Sequence, residues 1–160
     1  MTIGDKTISI HDILRPAVVV HKTDTLHAIL TKMIGETRTY LFVVDDCGQL
    51  CGMFGAIDLI KAVLPDYLEE DVVAAHFADQ AILAEDAERA KCTLVKDFMT
   101  EDAPTITESA TVLEAAATAI HSGQGRITVV DDDHKPVGII TRTEIKQVIG
   151  SLLGIDGAFE

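Results

Sequence analysis

Two stretches of this chain repeat one another, and that repetition restricts the fold more than any other feature. Residues 41–46 read LFVVDD and residues 127–132 read ITVVDD, 86 positions later. The same offset carries Gly52 onto Gly138, Thr25 onto Thr111 and Ile34 onto Ile120. It also carries Thr23 onto Ser109 and Asp58 onto Glu144, which keeps the chemistry of the side chain. Nearer the N-terminus the offset becomes 85 and takes Asp12-Ile13-Leu14 onto Asp97-Phe98-Met99. A single one-residue slip therefore reconciles the register, and the chain reads as two copies of one supersecondary unit.

The order of elements is the same in both copies. An extended apolar stretch (Ala17 to Val20; Pro104 to Ile106) is followed by a hydroxyl N-cap candidate, Thr23 or Ser109. Leu26, Ile29, Leu30, Met33 and Ile34 then recur at helical spacing, as do Val112, Ala115, Ala116, Ala119 and Ile120. A β-rich strand (Leu41–Val44; Ile127–Val130) runs into a polar turn (Asp45–Gln49; Asp131–Lys135). A second strand (Leu50–Phe54; Val137–Ile140) leads into a second helix (Ile57–Leu64; Thr143–Leu153). So short a turn makes the two strands antiparallel neighbours. Residues 65–93 interrupt the repeat. Pro65 marks the end of a helix, and the segment beyond it is acidic with apolar positions at Leu68, Val72, Val73, Ala75 and Phe77. It reads as an acidic helical connector, which is either a solvated packing layer or a partner-docking helix.

Charge excludes whole classes of partner. Thirteen Lys and Arg stand against twenty-six Asp and Glu, a net charge of −13. A field of that sign repels polyanions, so neither a nucleic-acid polymer nor an anionic membrane is expected as a partner. A single small nucleotide remains compatible, because a few local cations and a helix N-terminus suffice to hold it. Residues 1–15 mix charged and apolar positions without a leader pattern, and three cysteines read as reduced thiols, so a cytoplasmic location is expected.

Two strand–helix–strand–strand–helix units, with a VVD strand, a polar turn and G-h-h-T-x-x-D/E at the start of the last helix, resemble a tandem pair of cystathionine-β-synthase (CBS) domains. The opening Val95-Lys96-Asp97-Phe98-Met99-Thr100 is similar to the usual start of such a domain. The resemblance implies an α+β fold of two β-α-β-β-α repeats packed through their sheets with pseudo-twofold symmetry. It divides the chain into a first repeat at 7–64, an acidic helical connector at 65–93, a second repeat at 94–150 and a tail at 151–160. It further implies a non-catalytic regulatory module, with AMP, ADP, ATP or S-adenosylmethionine held in the clefts between the repeats and no cofactor required. Homodimerisation and a regulated partner protein belong to the same expectation.

The motif GIITRTE, residues 138–144, carries the expected chemistry. Gly138 lets backbone come close to a bound group, having no Cβ. Thr141 sits where a helix begins, and its hydroxyl and the helix amides suit an anion. Following the family's use of Thr and Asp, Thr141 would meet a phosphate and Glu144 the ribose hydroxyls. Thr141-x-x-Glu144 is equally a capping box that needs no ligand. The first repeat reads GMFGAID: Gly52 and Asp58 are kept, but Gly55 stands where Thr141 stands in the second. Arg126 and Arg142 are the candidate cations, with Tyr40 at the position of Arg126 and Arg38 nearby. Val20 and Ile106 are candidate walls for an adenine ring, or ordinary core residues.

Other constellations are set aside. Val129-Val130-Asp131-Asp132-Asp133 is similar to a receiver-domain acidic pocket, but too little chain follows it for that fold. Cys47 and Cys51 lack a second pair at metal-ligand spacing, so neither a metal site nor a redox site is expected. No nucleophile–base motif or phosphate-binding glycine loop is present, so no catalytic residue is expected. The tail Ser151 to Gly157 weakly resembles the junction before an ACT domain in CBS–ACT fusions, which implies a missing C-terminal effector domain; its plain reading is a frayed terminus. The competing function is a ligand-free dimerisation or interaction module whose motif residues are only helix caps.

Overall fold

A computed structural model of the chain describes residues 2–3, 6–64, 66, 71–77, 80–155 and 157. Pro65 and Leu68 of the connector, and Asp156 of the tail, lie outside the described residues. The chain divides into two compact units. One runs from Val18 to Glu101; the other joins the residues up to Ala17 with those from Asp102 onward. Each has its own apolar core, and the chain opens on two short antiparallel strands, β1 (Thr2–Ile3) and β2 (Lys6–Thr7).

The Val18–Glu101 unit holds a three-stranded sheet of order β4-β5-β6. Its strands are β4 (Val19–His21), β5 (Tyr40–Val44) and β6 (Leu50–Gly55). β4 runs parallel to β5, and β5 pairs antiparallel with β6. A parallel neighbour demands a crossover, and α2 (Leu26–Gly35) supplies it. The tight β5–β6 turn is tied by Asp45, whose Oδ1 accepts from the amides of Cys47 and Gln49, both at 2.9 Å. α3 (Ala56–Val63) leaves β6 directly. The connector forms α4 (Val72–Phe77) and α5 (Gln80–Ala90). Ile29, Leu41, Val43, Phe54 and Val95 are fully buried in this core.

The other unit repeats the pattern with β7 (Thr105–Thr107), α6 (Val112–Ser122), β8 (Arg126–Val130), β9 (Pro136–Thr141) and α7 (Arg142–Leu152). Asp131 ties its turn as Asp45 does, accepting from Asp133 and Lys135. The sheet order is β3-β9-β8-β7, and the extra strand β3 (Arg15–Pro16) comes from the N-terminal end of the chain. β3 pairs antiparallel with β9, setting Arg15 opposite Ile139 and Pro16 opposite Gly138. α1 (Ile10–Ile13) precedes it and buries Ile10 and Ile13 in the core with Val112, Ala115, Ile127 and Val129. The first unit receives the matching segment: residues 94–101, in sequence the start of the second repeat, pack on the first repeat's sheet through Val95, Phe98 and Met99. Each repeat's leading segment thus completes the other repeat's unit.

Two expectations change. The N-caps are Thr25 and Thr111, not Thr23 and Ser109. Thr25 accepts from the Ala28 amide and Thr111 from the Glu114 amide. Thr23 instead contacts the His21 ring and Ser109 the Thr107 hydroxyl, inside the preceding turn. The last residues of the two apolar stripes are also solvent-facing: Ile34 is 71% and Ile120 82% exposed, whereas Ile29 and Ala115 are wholly buried. No described helix is long and apolar enough to cross a membrane.

Candidate functional site

The strand-to-helix junction of the second repeat gathers the motif residues. β9 ends at Thr141, which has extended backbone and caps α7. The Thr141 hydroxyl accepts from the Thr143 amide at 3.2 Å and donates to Glu144 Oε2 at 2.5 Å. Glu144 Oε2 also accepts from the Thr141 amide at 2.7 Å. The other carboxylate oxygen, Oε1, accepts from Arg15 Nε at 2.5 Å. Glu144 is only 3% exposed, while the Arg15 side chain is 54% exposed. Burial alone would raise the Glu144 carboxyl. Hydrogen bonds from the Thr141 hydroxyl and amide, and from Arg15, outweigh it and hold the group below the usual glutamate range. The capping-box arrangement is therefore present, with an arginine from β3 added to it.

Glycine makes room for that arginine. A Cβ on Gly138 would fall 2.5 Å from the Arg15 carbonyl oxygen and 2.6 Å from Leu14 Cδ1. The close approach anticipated at Gly138 is taken by the chain's own backbone. Two further arginines flank the junction. Arg126 is the cross-strand neighbour of Thr141, and such pairs share a face of the sheet. The Arg142 amide donates to the Gly125 carbonyl at 3.0 Å, and its guanidinium lies over Gly125, whose φ of +64° only glycine adopts freely.

The first repeat builds the same frame from different side chains. Asp58 Oδ2 accepts from the Gly55 amide at 2.7 Å, and Oδ1 accepts from the Thr100 hydroxyl at 2.9 Å. Thr100 exchanges both backbone hydrogen bonds with Met53, the position matching Ile139 opposite Arg15. Thr100 is thus the counterpart of Arg15, and each reaches the acid of its unit from the other repeat's leading segment. A Cβ on Gly52 would meet Met99 Sδ at 2.7 Å and the Thr100 carbonyl at 2.9 Å, as Gly138 meets Leu14 and Arg15. Gly55 has its own cause: a Cβ there would sit 2.8 Å from the Tyr40 ring. The ring fills the space that the Thr141 side chain holds in the second repeat.

Val20 and Ile106 occupy corresponding strands, β4 and β7. Val20 is buried in the core of its unit, and Ile106 is half-buried against the other. The sequence singles out neither Arg15 nor Thr100 as a site residue, and gives Tyr40 only as the counterpart of Arg126. The 85-residue offset pairs Arg15 with Thr100, but no local pattern says which acid either one reaches.

A family model described as the CBS domain matches residues 8–65 and again residues 95–151. The chain belongs to the CBS domain family. Solved CBS structures share its fold. The CBS domain of a CBS domain-containing membrane protein from Sphaerobacter thermophilus is 25% identical, with a TM-score of 0.70 over 86% of this chain and 84% of that one. CBSX2 in complex with AMP is 23% identical, with a TM-score of 0.64 over 89% of this chain and 96% of that one. The CBS domain pair of MJ0100, in complex with 5-methylthioadenosine and S-adenosyl-L-methionine, is 22% identical, with a TM-score of 0.64 over 89% of this chain and 96% of that one. Both CBS repeats carry an acid on the first turn of the helix that follows the glycine-bearing strand.

Proposed function

We propose that this CBS pair is a non-catalytic regulatory module that binds an adenine-containing ligand, AMP, ADP, ATP or S-adenosylmethionine, at the strand-to-helix junctions of its repeats. One observation carries the reading. Each unit places a carboxylate, Glu144 or Asp58, on the first turn of a helix entered from a glycine-bearing strand. A carboxylate there can accept two vicinal hydroxyls of a ribose, and Thr141 with the α7 amides suits a phosphate. Neighbours of the same fold hold AMP, 5-methylthioadenosine and S-adenosylmethionine. A ligand that favours one arrangement of the module over another shifts its population, and a partner protein can read that shift.

A second reading has support of its own. Both acids are already hydrogen-bonded by the chain, and apolar side chains lie open on several helices: Ile34, Ile57, Ile60, Leu113, Ile120 and Ile149. Such faces suit a second copy of the chain. On this reading the module dimerises, or docks a partner, without a small ligand. Thermal melts with and without each adenine compound separate the two. The sensor reading expects a higher melting temperature with at least one of them; an unmoved melt with all of them leaves the interaction module.

A further inference from the structure

The two junctions share one backbone frame but carry opposite charge. In the second repeat, Arg15 bonds Glu144, Arg126 lies opposite Thr141 on the neighbouring strand, and Arg142 follows Thr141 with its guanidinium over Gly125. The corresponding positions in the first repeat hold Thr100, Tyr40 and Ala56 around Asp58. Glu101 follows Thr100, where Pro16 follows Arg15. Arg38 is the only cation gained in exchange among these positions, standing where Gln124 stands in the second repeat. We infer that the second repeat takes the anionic, phosphate-bearing adenine nucleotide, with Arg15 as its specificity-determining residue, while the first takes an uncharged or cationic adenosine compound. This rests on the adenine reading above and assigns a charge class to each of its two sites.

Arg15 is suited to the task because only its Nε is engaged by Glu144 among the described residues, and its side chain is half exposed. The two outer guanidinium nitrogens remain to face a phosphate, in the planar fork that matches two of its oxygens. Glu144 neutralises one arginine, and the exposed Arg142 next to Thr141 adds a further positive charge. In a chain of net charge −13, a phosphate needs such a local reversal of the field. The first junction offers none. It pairs Asp58 with a neutral hydroxyl and lays the Tyr40 ring beside it. That is a flat apolar face next to a carboxylate, which suits an adenosine bearing no phosphate and favours one bearing a sulfonium or ammonium.

Titration calorimetry on the full chain tests this, with AMP as the anionic probe and S-adenosylmethionine as the cationic one. Arg15→Gln weakens AMP about tenfold or more, Arg142→Gln on the exposed face weakens it several-fold without threatening the fold, and Arg15→Lys restores part of the loss. None of the three changes S-adenosylmethionine binding, which Asp58→Asn weakens while sparing AMP. If both compounds bind but respond alike to every variant, or AMP is indifferent to both Gln substitutions, the charge assignment is wrong and the adenine reading survives. If neither compound binds the unaltered chain, the adenine reading fails and takes this inference with it.

Discussion

Arg15 and Glu144 are 129 residues apart in sequence and 2.5 Å apart in space. The contact exists because β3, from the first repeat's leading segment, pairs with β9 of the second. It joins a half-exposed guanidinium to a buried carboxylate, so removing one partner does not cost what removing both does. Arg15→Gln removes the side-chain donor to Glu144 Oε1 and destabilises the unit by about 1–3 kcal/mol. Adding Glu144→Gln recovers part of that loss. Urea unfolding of the two single variants and the double variant measures the coupling, which is close to zero if the pair is merely incidental.

The same carboxylate gives the unit an acid sensitivity with a defined sign. Its folded pKa lies below the ordinary value, so the folded state favours the ionised form. The associated stability is complete above the unfolded glutamate pKa of about 4.3 and is lost as the pH falls through the lower, folded value. Glu144→Gln removes this component and flattens the stability profile on the acid side. Melting temperatures between pH 3 and pH 7 test it; identical acid slopes in the two proteins would assign the sensitivity elsewhere.

Gly138 and Gly52 answer to the same backbone contact but not equally. At Gly138 a methyl group meets the Arg15 carbonyl oxygen at 2.5 Å, a backbone atom held in the sheet. At Gly52 the nearest atom is Met99 Sδ, which ends a flexible side chain, and the Thr100 carbonyl is slightly farther away at 2.9 Å. Gly138→Ala therefore destabilises by about 1–3 kcal/mol and Gly52→Ala by less. Equal costs in a denaturation series would mean that β3 yields as readily as a methionine.

Restoring the hydroxyl that the first repeat lacks fails unless its neighbour changes too. Gly55→Thr drives a Cβ into the Tyr40 ring and lowers the melting temperature. Tyr40→Ala combined with Gly55→Thr opens that space and recovers much of the loss relative to Gly55→Thr alone. A double variant no more stable than Gly55→Thr itself counts against the ring as the reason for glycine.

Much of this architecture was legible because it repeats. The LFVVDD and ITVVDD strands, the Asp-tied turns and the helices after Gly55 and Thr141 all follow local periodicity, and the second copy confirms the register of the first. The N-caps lie two residues beyond the expected Thr23 and Ser109 because each turn holds two hydroxyls on either side of one position. Only the three-dimensional turn decides that Thr25 and Thr111 reach the helix amides while Thr23 and Ser109 face backward. Ile34 and Ile120 fit the helical stripe by spacing, yet lie beyond the reach of the sheet each helix covers. The arginine on Glu144 was illegible for a deeper reason. Its partner is chosen by strand pairing across most of the chain, and no local pattern records that pairing.

Adenine-ligand binding by the intact chain is the measurement on which the account depends most. With AMP at a hundredfold excess over its dissociation constant, linkage predicts about 2.7 kcal/mol of added stability, and Glu144→Gln should reduce that gain. A melting curve unchanged by AMP, ADP, ATP and S-adenosylmethionine at millimolar concentration would contradict the account and leave the junction residues as helix caps alone.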